Sequence, residues 1–167
     1  MTWLSFKEGR HDIGKITTFD VNRIAFRLAH INRFNGDVGA YSVAQHSVLV
    51  ASILRPEHKL AGLLHDVHEA FIGDNVTPFK LVFPDITTLE NEYLDQIDDM
   101  FNVETRAQAV YDADQIMLST EAQHFGVSLE GVPVPEPLES LVINEWHPHH
   151  AVFAFVELFD QLTKGAR

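Results

Sequence analysis

The stretch LLHDVHEAFIGD, from Leu63 to Asp74, decides how the chain is expected to fold. Its apolar residues recur at intervals of three and four, which is typical of an amphipathic helix that ends at a glycine. A helix from near Pro56 to Gly73 would direct four apolar side chains into a core: Leu60, Leu64, Val67 and Phe71. Its other face would carry Gly62, His65, Asp66 and Glu69. Five titratable side chains in twelve residues indicate either a solvated surface or a metal site.

A metal site would need ligands from other parts of the chain. His65 and Asp66 are two suitable ligands, but a divalent cation takes at least two more. His46 lies on an apolar helical stripe, so its ring is expected to point inward, as either a ligand or a hydrogen-bonded core histidine. Asp114 is placed among apolar residues, where a carboxylate needs a cation or a hydrogen bond. Three helices could thus form one site of two histidines and two aspartates.

Composition limits the kind of protein this can be. The chain has 167 residues, 46% hydrophobic and 22% charged, which predicts one globular domain over 1–167. It has no cysteine, so disulfides and thiolate zinc sites are excluded, and a metal would have nitrogen and oxygen ligands. No apolar run is long enough for a membrane span, and the first residues lack a secretory segment, which predicts a cytoplasmic protein.

The charge distribution favours a small anionic substrate over a polymer. The formal net charge is −12, which argues against a nucleic-acid polymer as partner because such a surface needs a basic stripe. Six of the twelve lysines and arginines nevertheless lie within the first 33 residues. A local pocket for an anion is therefore compatible with the negative net charge of the protein.

Further helices follow from capping signals and periodicity. One is predicted from about Val21 to Ile31 after Asp20 or Thr18, and another from Ser42 to about Leu54, begun by a capping box with Gln45. Others are predicted after Pro84, over about Thr105–His124, and from about Pro148 to Lys164, with a short turn at 79–82. No segment alternates as a strand does. The prediction is an all-α, compact single-domain bundle, with its core in about 20–125 and the last helix.

The order His46, His65-Asp66, Asp114 resembles the HD-domain metal-dependent phosphohydrolases. The flanking segments INRF, YSVAQHS, LLHDVHEAFIGDNVTPFK and DADQIMLSTE are similar to a subgroup that contains bacterial 5′-deoxynucleotidases and phage or prophage HD-domain deoxynucleotide hydrolases. The likeness covers about 23–121 and the last helix. It implies an HD-domain helical bundle.

The resemblance also implies a role for each matching residue. One divalent cation (Co²⁺, Mn²⁺, Zn²⁺ or Mg²⁺) would be held by His46, His65, Asp66 and Asp114. Glu69 would position or deprotonate the attacking water, and Asp74 would act near the leaving group. Substrate would be contacted by Arg33, Phe34, Thr77 and Lys80. His68 departs from the usual pattern, and a phosphate or ligand-supporting contact is expected for it.

Simpler interpretations of these residues remain open. Glu69 could form a helix salt bridge, Arg33 could cap a helix end, and Asp74 could belong to a turn. Lys80 could be an ordinary surface charge.

The implied activity is removal of phosphate from deoxynucleoside 5′-monophosphates. One alternative is a dNTP triphosphohydrolase, because the basic N-terminal third leaves room for more than one phosphate. A second is a non-catalytic nucleotide-binding module. The expected partners are a small deoxynucleotide and further copies of the chain in a homo-oligomer, with no membrane.

Overall fold

The computed structural model describes residues 3–7 and 9–164, in which a short β-hairpin precedes a series of α-helices. The hairpin pairs β1 (Trp3–Phe6) with β2 (Gly9–Asp12) in antiparallel fashion, with Trp3 opposite Asp12. The helices are α1 (Val21–Leu28), α2 (Val43–Ile53), α3 (Lys59–Leu64), α4 (Glu69–Ile72), α5 (Thr77–Val82), α6 (Pro84–Phe101), α7 (Gln108–Phe125) and α8 (Pro148–Lys164). A mostly helical fold is confirmed. The hairpin was not predicted from the sequence.

Helix α2 is the buried centre around which α1, α3, α7 and α8 pack. Its N-terminus is capped as predicted, because the Ser42 hydroxyl accepts the backbone N–H of Gln45 at 3.2 Å. The Gln45 side chain does not return this bond. It donates to the carbonyl of Asn144 at 2.7 Å and accepts the N–H of Trp146 at 2.9 Å. The buried amide therefore joins α2 to the segment that leads into α8.

The predicted helix from Pro56 to Gly73 is wrong as a continuous element. Residues 56–58 form a 3₁₀ turn, α3 ends at Leu64, and α4 begins only at Glu69. The backbone between them makes i→i−3 hydrogen bonds, such as the N–H of Glu69 to the carbonyl of Asp66 at 3.0 Å. A β-carbon on Gly62 would lie 2.2 Å from Cδ1 of Leu54. Gly62 is the point where α3 approaches α2.

Large apolar side chains from several helices meet in one core. Helix α6 contributes Tyr93 and Ile97, and α8 contributes Phe155 and Phe159. A smaller cluster of Val50, Ala113 and Met117 joins α2 to α7. Helix α1 starts at the predicted cap, Asp20, but ends at Leu28, before the predicted end at Ile31. No helix within the described residues has an apolar stretch long enough to cross a bilayer.

Replacing the Gln45 amide tests how α2 is fixed in the fold. Gln45→Leu keeps the side-chain volume but leaves a carbonyl and an N–H of the 144–146 segment without their buried partner. We expect the free energy of unfolding to fall by about 2 to 4 kcal/mol, measured by urea denaturation. Gln161→Leu, at an exposed position of α8, is the matched control and should change it by less than about 0.5 kcal/mol. Equal stability of both variants would contradict this assignment.

Candidate metal centre

Two imidazoles, His46 in α2 and His65 after α3, lie beside each other with ring centroids 5.3 Å apart. His65 Nδ1 lies 2.7 Å from the carbonyl oxygen of Gly62, which can only accept, so Nδ1 carries the proton. His46 Nδ1 lies 2.5 Å from Oε1 of Glu121, which fixes the same tautomer. The Nε2 atoms of both rings are buried and have no hydrogen-bond partner in the described part of the chain. Both rings are thus tethered as metal-ligating histidines usually are.

Two carboxylates face these Nε2 atoms. Asp66 Oδ2 lies 3.2 Å from His65 Nε2 and 3.6 Å from His46 Nε2. Asp114 Oδ1, from α7, lies 3.1 Å from His46 Nε2 and 3.8 Å from His65 Nε2. The structure therefore brings the four predicted ligands together. Two imidazole nitrogens and two carboxylate oxygens form a donor set that suits a divalent cation.

The electrostatics of this cluster favour ionised carboxylates. Burial alone would raise the pKa of Asp66, but His65 outweighs it, and the net pKa lies below the usual range. Burial likewise opposes ionisation of Asp114, and contacts with His46 and His65 hold its pKa well below normal. Burial lowers the pKa of His65, but Asp66 and Asp114 raise it by more than burial lowers it. The net pKa of His65 lies well above its usual value. The two aspartates attract positive charge strongly, which is the property that a cation site requires.

A buried glutamate behind the ligands, Glu121 of α7, was not among the predicted site residues. Its Oε1 accepts the Tyr41 hydroxyl at 2.7 Å as well as His46 Nδ1, and its Oε2 accepts Nε of Arg33 at 2.9 Å. Burial would raise its pKa, but Arg33 and His46 lower it below the usual value, so the carboxylate is charged. Glu121 follows Asp114 by seven residues, two helical turns, and this spacing is the sequence signal for a shared face.

Arg33 and Phe34 enter the site through a strained turn. Besides its bond to Glu121, the Arg33 guanidinium reaches 3.9 Å from Asp66 Oδ2, so it lies beside the ligand cluster. Arg33 is not a cap of α1, which ends five residues earlier. Phe34 and Asn35 both have φ of 54°, a left-handed conformation that costs a bulky residue about 1 to 3 kcal/mol. The turn holds the Phe34 ring centroid 5.6 Å from the Arg33 guanidinium carbon.

Glu69 and His68 form a second group with Asp66, in which one ligand atom from each lies within 4.8 Å of the others. Glu69 is 5% exposed, and its Oε2 has no hydrogen-bond partner within the described ranges. Burial, with the negative charges of Asp66 and Asp74, raises the pKa of Glu69 well above its usual value. Burial also raises the pKa of half-buried Asp74, although Arg33 opposes this shift. Glu69 is therefore a buried acid that keeps its proton to a higher pH than an exposed glutamate does and, once ionised, is a stronger base.

His68 and Lys80 meet at another carboxylate that the sequence did not single out, Glu90 of α6. Lys80 Nζ lies 3.0 Å and His68 Nε2 3.6 Å from Oε1 of Glu90. Burial opposes ionisation of Glu90, but His68 and Lys80 together lower its pKa. Lys80 thus forms a partly buried ion pair. Thr77, the remaining predicted contact, is exposed at the first residue of α5.

Comparison with known proteins identifies a family without assigning a chemistry. The chain is 32% identical to the uncharacterized protein YfdR of Escherichia coli (strain K12) over 176 residues, covering 98% of this chain and 97% of YfdR. It is 37% identical to the uncharacterized protein RCAP_rcc00048 of Rhodobacter capsulatus over 91 residues, covering 47% of this chain and 46% of that protein. No protein-family model matches the chain. The chain belongs to the same family as YfdR.

The buried glutamate provides a test of the centre. Glu121→Gln keeps the side-chain shape but removes the charge that orients His46 and balances Arg33. We expect about 10- to 100-fold weaker binding of Co²⁺ or Mn²⁺, measured by isothermal titration calorimetry. Glu157→Gln, at an exposed position of α8, should bind the cation like the wild type. A circular-dichroism melt establishes that both variants are folded, and unchanged affinity in folded Glu121→Gln would refute the assignment.

Proposed function

We propose that this protein is a divalent-metal-dependent phosphohydrolase of the HD-domain type that removes phosphate from deoxynucleoside 5′-monophosphates. One observation carries the proposal: two tethered, buried imidazoles direct unpartnered Nε2 atoms at two ionised carboxylates. The resemblance of the ligand order and flanking segments to deoxynucleotidases supplies the substrate class. The same proposal includes an HD-domain bundle formed by the helices that carry the ligands.

Each residue has a role that its surroundings support. His46, His65, Asp66 and Asp114 would hold the cation, which supplies Lewis acidity that polarises a phosphoryl oxygen and acidifies a water molecule. Glu69, buried next to Asp66 with one oxygen unpaired, is the group that accepts the proton of the attacking water. Asp74 acts near the leaving group. These assignments follow the family resemblance, and the burial of both carboxylates supports them.

Substrate binding is assigned to the cations and the aromatic ring beside the cluster. Arg33, held at Nε by Glu121, keeps its terminal nitrogens toward Asp66 and suits a bidentate contact with phosphate. Phe34 would contact the sugar or base next to it. Lys80 and His68 share Glu90, and Thr77 begins the neighbouring helix α5, so these three would border the site.

The distribution of basic residues supports a monophosphate substrate over a triphosphate. Arg33, one of the six lysines and arginines in the first 33 residues, contacts the ligand cluster. Arg10, Arg23 and Arg27 line a cavity whose lining residues do not include the ligand cluster. A site with few available cations suits one phosphate group better than three.

A product panel tests the reaction itself. The protein is incubated with each of the four deoxynucleoside monophosphates and triphosphates, with Co²⁺, Mn²⁺, Zn²⁺ or Mg²⁺ and with excess chelator. We expect orthophosphate and deoxynucleoside from a monophosphate, and no release in chelator. Release of triphosphate would replace this proposal with a dNTP triphosphohydrolase. Inertness of the metal-bound protein toward every nucleotide would replace it with a non-catalytic binding module.

The role of Glu69 is tested separately from metal binding. In Glu69→Gln the proton acceptor is lost while the four proposed ligands remain, so we expect kcat to fall about 10²- to 10⁴-fold. Cation affinity, measured by calorimetry, should stay within about threefold of the wild type, because Glu69 is not assigned as a ligand. Glu139→Gln, exposed in the segment before α8, serves as the control and should retain full activity. Full activity of Glu69→Gln would remove Glu69 from the mechanism.

A further inference from the structure

Helix α5, which carries Lys80, buries little apolar surface. None of its six residues, all of which the structure describes, is buried. Phe79, Leu81 and Val82 are each more than half exposed, and the Phe79 ring contacts Phe83, the residue that directly follows the helix. An isolated helix of this length is not stable in water. The position of α5 therefore depends on polar contacts as well as on the little apolar surface that it buries.

Glu90 of the neighbouring helix α6 supplies such a contact. Its Oε1 lies 3.0 Å from Nζ of Lys80. Burial opposes the ionisation of Glu90, but His68 and Lys80 lower its pKa below the usual value, so the carboxylate is charged. A partly buried ion pair is screened less by salt than an exposed pair is. The pair therefore holds Lys80, and with it α5, against α6.

Glu90 is also joined to the segment that carries the proposed base, Glu69. His68 Nε2 lies 3.6 Å from Oε1 of Glu90, and His68 Nδ1 lies 3.2 Å from the carbonyl oxygen of His65. His68 and Glu90 are both buried, and His68 immediately precedes Glu69 in the chain. Glu90 thus lies between two segments of the candidate site, one that carries Glu69 and one that carries Lys80.

The charge of Lys80 acts within the candidate site. Burial raises the pKa of Asp74, and the positive charges of Arg33 and Lys80 oppose this rise. Arg33 in turn reaches 3.9 Å from Asp66, one of the proposed ligands. Two cations from different parts of the chain therefore act on the same region. A phosphate group spreads its negative charge over several oxygens, so it can interact with both cations at once.

A lysine benefits from a partner that fixes its position. Its ammonium group is a point charge at the end of a flexible four-carbon stem, without the planar fork of a guanidinium. Ordering this stem at the moment of binding costs conformational entropy, and a side chain that is already ordered avoids the cost. Glu90 orders Lys80 in advance, and the Lys80 side chain, 27% exposed, remains accessible to a ligand.

We infer that Glu90 is a positioning residue, which orders Lys80 for a contact with the substrate phosphate. The inference rests on the proposed function, because that function assigns Lys80 to substrate binding. Another role for Glu90 would be that of a nearby negative charge that repels phosphate. The two roles predict opposite signs. Loss of a positioning group weakens phosphate binding, whereas loss of a repelling charge strengthens it.

Steady-state kinetics of Glu90→Gln test the inference, with a deoxynucleoside 5′-monophosphate that the wild type hydrolyses. We expect KM to rise about three- to tenfold and kcat to stay within about twofold, because a neutral amide holds an ammonium group less firmly than a carboxylate does. Cation affinity, measured by calorimetry, should stay within about twofold. Glu92→Gln, at an exposed position of the same helix, is the matched control and should keep the wild-type KM. An unchanged or lower KM in Glu90→Gln would overturn the inference.

A double-mutant cycle tests whether Glu90 acts through Lys80. Lys80→Met removes the ammonium group and should raise KM at least as much as Glu90→Gln does. The combined variant should then have the KM of Lys80→Met alone, within about twofold, and additive increases would overturn the inference. If circular dichroism shows that Glu90→Gln is not folded, Glu90→Met, with an apolar side chain of similar length, replaces it with the same expectations.

Binding of inorganic phosphate separates failure of this inference from failure of the proposed function. It is measured by calorimetry on protein loaded with Mn²⁺ and freed of excess cation, and it requires no turnover. If the wild type hydrolyses no deoxynucleotide, a phosphate Kd at least about threefold weaker in Glu90→Gln would retain the inference while the proposed function fails. Equal Kd values, or no phosphate binding by that inert wild type up to about 5 mM, would overturn the inference as well.

Discussion

The buried carboxylate of Glu121 is the constraint on which the site depends. A fully buried carboxylate is stable only when charged and hydrogen-bonded partners replace the water it has lost. The partners of Glu121 are Arg33 and Tyr41, which precede α2 in the chain, and His46, which lies within α2. The same contacts fix the tautomer of one proposed ligand and hold the arginine beside Asp66. Satisfying one buried charge therefore positions both a proposed metal ligand and the arginine proposed to bind phosphate.

The interruption between α3 and α4 has a comparable effect on the other ligands. His65 and His68 each direct Nδ1 to the carbonyl three residues earlier, at 2.7 and 3.2 Å. Such local bonds compete with regular α-helical pairing, and the backbone here uses i→i−3 bonds instead. As a result, His65 Nε2 faces Asp66 and Asp114, while His68 faces Glu90 on α6.

Residue types and capping signals predicted much of this arrangement. Ser42 and Asp20 cap their helices as expected, and His46, His65, Asp66 and Asp114 converge from three parts of the chain. The break after Leu64 was missed because i→i−3 pairing leaves the apolar spacing nearly unchanged. Glu121 was missed because a glutamate in a helix usually faces solvent, and its partners are 75 to 88 residues away in sequence. Four-residue strands also carry too little alternation to be recognised.

The proposal of an anionic substrate for an acidic protein raises an apparent conflict, which the distances resolve. At physiological ionic strength, exposed charges are largely screened beyond about 8 Å, so distant acids contribute little to the field at a site. Contacts within a few ångströms decide it instead, such as that of Arg33 with Asp66 at the candidate metal centre. The acid-rich segment 85–104 even contributes to the site, because Glu90 turns inward to pair with Lys80 and His68. The negative net charge is therefore compatible with the phosphate contact proposed for Arg33.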